Sequence, residues 1–264
     1  MNMEKEFAHY IRTDELVFKH AKGIRDIVGK EFHTFHEIFL FLDGEAEFIS
    51  DRYRKTLETG TLVIIPKECF HQFIVTRDEK YQRCMFNFGS VSGLDELIDN
   101  KLTAVYTTGI SKEIYMQFTE LFDAAASSPE SLESRILAKA LLARLLCRIN
   151  KEENTLAVTD GFHPSVVEAV RYIGEHIREP MSVGEVAQAL HISESYLMKI
   201  FKHDMHMSVY RYITEKRLII AAGEIEKGVP ATKAAMLSGF GDYSGFYKLY
   251  KKMFGVSPSE RITK

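Results

Sequence analysis

The sequence predicts a two-domain chain: an all-β sandwich or small barrel with following helices, then an all-α half. Three observations predict it. Up to about residue 90, short β-branched and aromatic runs are punctuated by Gly and Asp. From Ser111 onward, apolar residues recur at helical spacing. The last hundred or so residues hold two similar copies of one helical pattern. With 264 residues, 45% of them hydrophobic and 27% charged, the chain can bury two separate cores.

In the first half, residues 37–42 read as a strand, Asp43-Gly44 as a turn, and residues 45–49 as a second strand. Gly60 opens the run 61–65 and Pro66 closes it. Residues 71–76 and 81–88 give two more strands, and many short strands with tight turns fit a sandwich or barrel. Residues 111–126 are a helix candidate, and so are 129–149, with Pro129 suited to the first helical position. In the latter, Ile136, Leu137, Ala140, Leu141, Leu145 and Ile149 share a face, leaving Arg135, Lys139, Arg144 and Arg148 as a narrow polar stripe. So wide an apolar face suits two neighbours, one of them a second copy of the chain. Residues 151–163 are polar and end in a Gly and Pro signal, which marks a linker. The expected layout is therefore 1–150, a linker at 151–163, and 164–264.

Charge and cysteine usage narrow the function classes. The net charge of −3 averages two unlike parts. Residues 161–264 carry 14 Lys and Arg against 11 Asp and Glu, and residues 195–264 carry 12 against 6. Basic charge gathered at one end suits a phosphate-rich partner. Cys69, Cys84 and Cys147 have no metal-type spacing, and three is a poor disulfide framework. No apolar run approaches the roughly 18 residues of a membrane span, and residues 1–6 lack the apolar core of a secretion signal. A reduced, cytoplasmic protein with no membrane partner is expected.

The repeat carries the function. Residues 197–202 align with 246–251, and Ala187 aligns with Ala235, at offsets of 49 and 48. Each copy has a small Ala where two helices cross, a turn, a polar cap (Ser193 or Asp242), and a second helix. Tyr196, Leu197, Ile200 and Phe201 are expected to face inward in the first copy, and Phe246, Leu249 and Tyr250 in the second. Facing out would be Glu194, Ser195, Met198, Lys199 and Lys202, then Tyr243, Ser244, Tyr247, Lys248 and Lys251. With the two caps, these form the candidate DNA interface. Such helices enter the major groove, where their N-terminal halves read base edges and lysines meet phosphate. Residues 209–227 read as one helix of just under about 30 Å, close to one DNA turn of about 34 Å. It would hold two recognition helices in successive grooves.

Here the resemblance becomes specific. The stretch Gly239-Phe240-Gly241-Asp242-Tyr243-Ser244-Gly245-Phe246, continuing through Tyr250, Lys251, Lys252, Phe254, Gly255, Val256, Ser257, Pro258, Ser259, Glu260 and Ile262, resembles the signature of the AraC/XylS family. Ser193-Glu194-Ser195-Tyr196-Leu197, with Phe201 and Lys202, is similar to its first motif. The resemblance implies a bacterial transcription regulator that binds double-stranded DNA, forms a homodimer, contacts RNA polymerase and responds to a small-molecule effector, often a sugar. His191 and His206 stand where the family has Gly, and Gly245 lies inside the second recognition helix.

The first half adds a second resemblance. His33, His36, Glu37 and Gly44, then Gly60, Pro66 and His71, are similar to the two cupin motifs found in sensory halves of this family. Residues two apart on a strand share a face, so His33 and Glu37 point one way and His71 could join them. Glu31 replaces one histidine of the metal-binding pattern, and Glu68 replaces a Gly. The resemblance therefore implies a pocket without metal or cofactor, in which His33, Glu37 and His71 hydrogen-bond an effector among Phe39, Phe48 and Phe86. Two competing readings are a metal-dependent cupin enzyme on His33, Glu37 and His71, and a purely structural dimer module. The second leaves both matched motifs unexplained.

Overall fold

A computed structural model of the chain describes residues 9–23, 30–51, 54–101, 106–151 and 162–260. It divides into two compact units, an N-terminal one of residues 1–31 and 35–160 and a C-terminal one of residues 161–264 together with the short segment 32–34. Residues 152–161, most of the expected linker, lie outside the described residues.

The N-terminal unit has β1 (His9–Arg12), β2 (Leu16–Lys22), β3 (Lys30–Glu31), β4 (His36–Ser50), β5 (Arg54–Thr56), β6 (Thr61–Ile65), β7 (His71–Phe88), α1 (Asp95–Lys101), β8 (Tyr106–Gly109), α2 (Lys112–Ser127) and α3 (Leu132–Lys151). All described strands join one antiparallel sheet in the order β1-β2-β7-β4-β6-β8, with β3 also on β7 and β5 on β4. One face carries Phe18, Ile38, Leu40, Ile64, Phe86 and Phe88. It packs on Ile114, Phe118 and Leu121 of α2 and on Leu141, Leu142 and Leu145 of α3. The other face buries Phe39, Phe41, Phe48, Val63, Phe73 and Tyr81 against one another. Burial on both faces explains why residues 38–42 form an unbroken apolar run rather than an alternating one.

Three local expectations are corrected. Asp43-Gly44 is not a hairpin turn, because residues 36–50 are one strand whose register against β7 shifts between Phe41 and Ala46. Gly44 sits there at φ +110°, and a Cβ on it would lie 2.8 Å from Tyr81 Cα, so only glycine lets the two strands approach. Residues 71–76 and 81–88 likewise belong to one strand. Pro129 is not the first helical residue, because α3 begins at Leu132, where Ser131 Oγ accepts from Ser134 N at 3.0 Å.

The C-terminal unit is all helical: α4 (Pro164–His176), α5 (Val183–Ala189), α6 (Glu194–Met205), α7 (Val209–Glu226), α8 (Ala231–Leu237) and α9 (Tyr243–Phe254). α7 packs on α6, α8 and α9. Its residues 218–222 are all buried, so it lacks the one-sided stripe of a surface helix. Leu218, Ala221, Ala222 and Ile225 share one core with Ala234, Ala235, Phe246 and Tyr250.

The two histidines at glycine positions adopt left-handed backbone, His191 at φ +56° and His206 at φ +53°. An L-residue there costs about 1 kcal/mol or more. His191 is exposed, so His191→Gly is expected to stabilise the unit by roughly 0.5–1 kcal/mol, after the extra unfolded-chain entropy of glycine. Urea denaturation followed by circular dichroism checks this, and a loss of stability would show that the imidazole makes compensating contacts.

Candidate nucleic-acid interface and effector site

Two helix-turn-helix units occupy the C-terminal unit: α5 with α6, and α8 with α9. Their starts are set by the polar residues the sequence places there. Ser182 Oγ accepts from Glu185 N at 3.2 Å while Ser182 N donates to Glu185 Oε2 at 2.7 Å, a reciprocal cap on α5. Ser193 Oγ accepts from Tyr196 N at 3.2 Å at the start of α6. Asp242 Oδ1 accepts from Gly245 N at 2.7 Å at the start of α9. A Cβ on Gly245 would lie 2.6 Å from Asp242 Oδ2, which explains a helix-weakening glycine inside α9: it makes room for the cap.

The expected outward residues are solvent-facing. Glu194, Ser195, Met198, Lys199 and Lys202 are exposed on α6. Tyr243, Ser244, Tyr247, Lys248 and Lys251 are exposed on α9. Ser193 and Asp242 are exposed too, but their oxygens are engaged as caps. Leu197, Phe201, Phe246 and Tyr250 are buried, and Ile200 and Leu249 are half-buried. Tyr196 is a correction. Expected inside, it is 42% exposed, because it lies at the edge of the apolar face, where its ring stands edge-on to His163 at the start of α4. Exposed basic and aromatic side chains on a helix with a fixed start can meet both phosphate and base edges.

The relation between the two helix-turn-helix units is fixed by arginines that the sequence reading missed. Arg217, on α7, donates through Nε to Ile177 O at 2.9 Å and also to Glu179 O, closing the end of α4. Arg178 Nη1 donates to Leu237 O at 2.9 Å at the end of α8. Gly239, in the second turn at φ +87°, packs against this junction. An arginine among alternating charges gives no sequence signal for such a role. Its value comes from carbonyls 40 residues away in sequence.

Of the expected polar residues, Glu37 and His71 lie in the N-terminal unit and are buried, whereas His33, also buried, is not on a strand with Glu37 but in the 32–34 segment that groups with the C-terminal unit. Glu37 lies on β4 and His71 begins β7. Glu31, paired with His71 across the strands, brings Oε2 to 3.6 Å from His71 Nε2. Burial pushes the Glu37 carboxyl up to about 7, partly offset by the charge of His71. Burial pulls His71 down, but contact with Glu31 and the charges of Glu37 and Glu31 outweigh it and leave it raised. This polar group sits beside aromatic rings. Phe48 and His71 have centroids 6.4 Å apart, and Phe39 and Phe73 stack at 4.0 Å.

Phe39 and Phe48 are nine residues apart, which a regular strand would place on opposite faces. The register shift around Gly44 restores them to one face. Phe86 is a correction, because it packs on the helix-covered face with Phe18, at 5.0 Å, and Phe118. Phe73, two residues after His71 and so on its face, takes that place. The period-2 rule could have found it.

Comparison with known proteins follows this division. Residues 16–146 match the family described as AraC-like ligand binding domain, and residues 186–262 match a helix-turn-helix domain family. The Msm operon regulatory protein of Streptococcus mutans is 23% identical over 243 residues, covering 88% of this chain and 85% of that one. The raffinose operon transcriptional regulatory protein RafR of Pediococcus pentosaceus is 25% identical over 244 residues, covering 88% and 86%. The probable transcriptional regulator LumQ of Photobacterium leiognathi is 25% identical over 136 residues, covering 51% of this chain and 55% of LumQ. Among solved structures, ToxT from Vibrio cholerae aligns over 96% of this chain and 98% of its own at 15% identity, with a TM-score of 0.43.

Proposed function

The chain belongs to the AraC/XylS family of transcriptional regulators, and from that premise we propose how its two units divide the work. It is a sequence-specific DNA-binding regulator controlled by a small-molecule effector, and not an enzyme. Residues 164–264 form the DNA-binding domain, and residues 1–150 form the sensing and dimerising domain. Residues 151–163 link them. The observation that carries the DNA reading is the pair of capped recognition helices, α6 and α9, with matched exposed lysine faces, on the α7 strut. Eighteen residues span about 27 Å, somewhat short of one DNA turn, so the duplex bends slightly toward the protein when both helices engage.

On this reading Lys199, Lys202, Lys248 and Lys251 meet phosphate. Ser195, Met198, Tyr243, Ser244 and Tyr247 face base edges, with Glu194 at the rim. Ser193 and Asp242 act by fixing where each helix starts. Lys248→Ala is expected to weaken binding to every duplex and lower the salt slope by about one unit. Ser195→Ala is expected to change the preference among sequences instead. A uniform loss at Ser195 would remove it from base reading.

The effector reading rests on Glu37 and His71, with the Phe39, Phe48 and Phe73 rings. Polar groups at the edge of an aromatic cluster suit a sugar, which offers hydroxyls and an apolar face. The raffinose-operon regulator among the relatives supports that class. A sheet buried on both faces, one of them largely against other side chains of the same sheet among the described residues, supports a cupin-like curl. Exposed Met116 and Ile136, at 62% and 57%, support a homodimer through α2 and α3. RNA polymerase is the proposed partner of DNA-bound protein. Three free cysteines support a reduced, cytoplasmic setting. Among the described residues no helix is long and apolar enough to cross a membrane.

The test is anisotropy titration of the full-length protein against the gene's own upstream duplex and a scrambled duplex. It is run with and without raffinose and its component sugars. Preference for the upstream duplex, shifted by a sugar, is expected, since a ligand acts only through differential affinity. Equal affinity for both duplexes in every condition would overturn the reading.

A further inference from the structure

The C-terminal unit carries a polar relay that none of the above uses. His163 caps α4, with Ser165 N donating to its Nδ1 at 3.1 Å. Its backbone N donates to Oδ2 of Asp204, at 2.7 Å. Asp204 is buried near the end of α6. The His163 ring stands edge-on to Tyr196 at 5.7 Å between centroids and 84°, with Nε2 3.0 Å from the phenol oxygen. One residue thus grips both ends of the first recognition helix.

The bonding assigns the protons. A nitrogen that accepts from a backbone N–H carries no proton, so Nδ1 is bare and Nε2 is the N–H of the neutral ring. Nε2–H then donates to the Tyr196 oxygen. The phenol's own proton is left to point away from His163, on the solvent side of the helix that meets DNA. We propose that Tyr196 is a phosphate-contacting residue of the first recognition helix, and that His163 is the positioning residue that aims its hydroxyl. Phosphate oxygens accept from such a donor, and neutral hydroxyls are regular phosphate contacts. The idea rests on the reading that α6 meets DNA.

The test uses full-length protein and an arbitrary 30-bp duplex over a series of salt concentrations, because a phosphate contact is blind to sequence. Tyr196→Phe keeps the ring and removes the hydroxyl. It is expected to weaken binding about ten-fold, as for a hydrogen bond to a charged group, with an unchanged salt slope since no charge is lost. Lys248→Ala, measured alongside, lowers the slope. His163→Asn keeps a good cap for α4 but cannot reach Tyr196. It is expected to lose several-fold in affinity with an unchanged thermal midpoint, and to lose nothing further in the Tyr196→Phe background. Wild-type affinity for Tyr196→Phe, or losses that add fully in the double variant, overturns the proposal while Lys248→Ala still behaves as stated. If Lys248→Ala also leaves binding and slope untouched, the DNA reading of these helices fails with it.

Discussion

Gly239→Ala is expected to cost the C-terminal unit about 2–4 kcal/mol, a large share of the stability of a domain this size. Two causes add. The backbone at Gly239 is left-handed at φ +87°, which costs an alanine about 1 kcal/mol. The new Cβ would also lie 2.7 Å from Ile177 O and 2.9 Å from Arg217 Nε. Those atoms cannot simply step aside, because Arg217 is bonded to Ile177 O and Glu179 O. Relieving the overlap therefore breaks the closure of α4, at a further cost of about 1–3 kcal/mol. Gly255→Ala separates the two causes. Gly255 is also left-handed, at φ +75°, but its Cβ would meet nothing within 4 Å, so about 1 kcal/mol is expected. Because the chain has no Trp, urea unfolding is best followed by circular dichroism. Equal losses at both glycines would mean that the Arg217 junction is soft.

The N-terminal unit is expected to lose stability as pH rises from about 4.5 to about 7, the range between the ordinary value of Glu37 and its raised one. The sign follows from proton binding. In that window the folded state holds a proton on Glu37 that the unfolded state has released, so each rise in pH favours unfolding. His71 acts in the same direction. Its raised value means that stability from the protonated ring is present below about 6.5 and lost as pH climbs past its folded value. The carboxylate's share is on the order of 3 kcal/mol, because the group is fully buried and the shift is large. Glu37→Gln, of nearly the same shape but neutral, is expected to flatten the profile between pH 4.5 and 7 and to exceed wild-type stability at pH 8. Thermal unfolding across pH checks both. An unchanged profile in the variant would show that Glu37 carries no such burden. An effector that donates hydrogen bonds to this carboxylate would then bind with no pH dependence of its own.

The recognition helices were legible because their information is local. Ser193 and Asp242 bond donors three residues on, and Leu197, Phe201, Phe246 and Tyr250 repeat at the helical period, so a short window contains cap, phase and face. Tyr196 was misplaced because an amphipathic ring at the edge of a helical face can turn either way. Its side was decided by His163, 33 residues earlier in the chain. α7 was visible as a helix but not as a buried one, since burial all round depends on α6, α8 and α9 packing on different sides.

The sheet divided differently. Residues 37–42 and 61–65 announced strands through their composition alone. Whether Asp43-Gly44 closed a hairpin or a bulge was beyond a local reading, because both need a glycine with positive φ. Pairing of β4 with β7 on both sides of Gly44 settled it. The same pairing moved Phe48 onto the face of Phe39 and left Phe86 on the other. Sequence alone was enough for the two-part architecture and the capped recognition helices. Only folding settled which aromatics stand beside Glu37 and His71 and how Arg217 and Gly239 lock the two helix-turn-helix units. The reason is one of range. Caps and helical phase are set within a few bonds along the chain, whereas strand register and carbonyl capping are set by partners that only folding brings within reach.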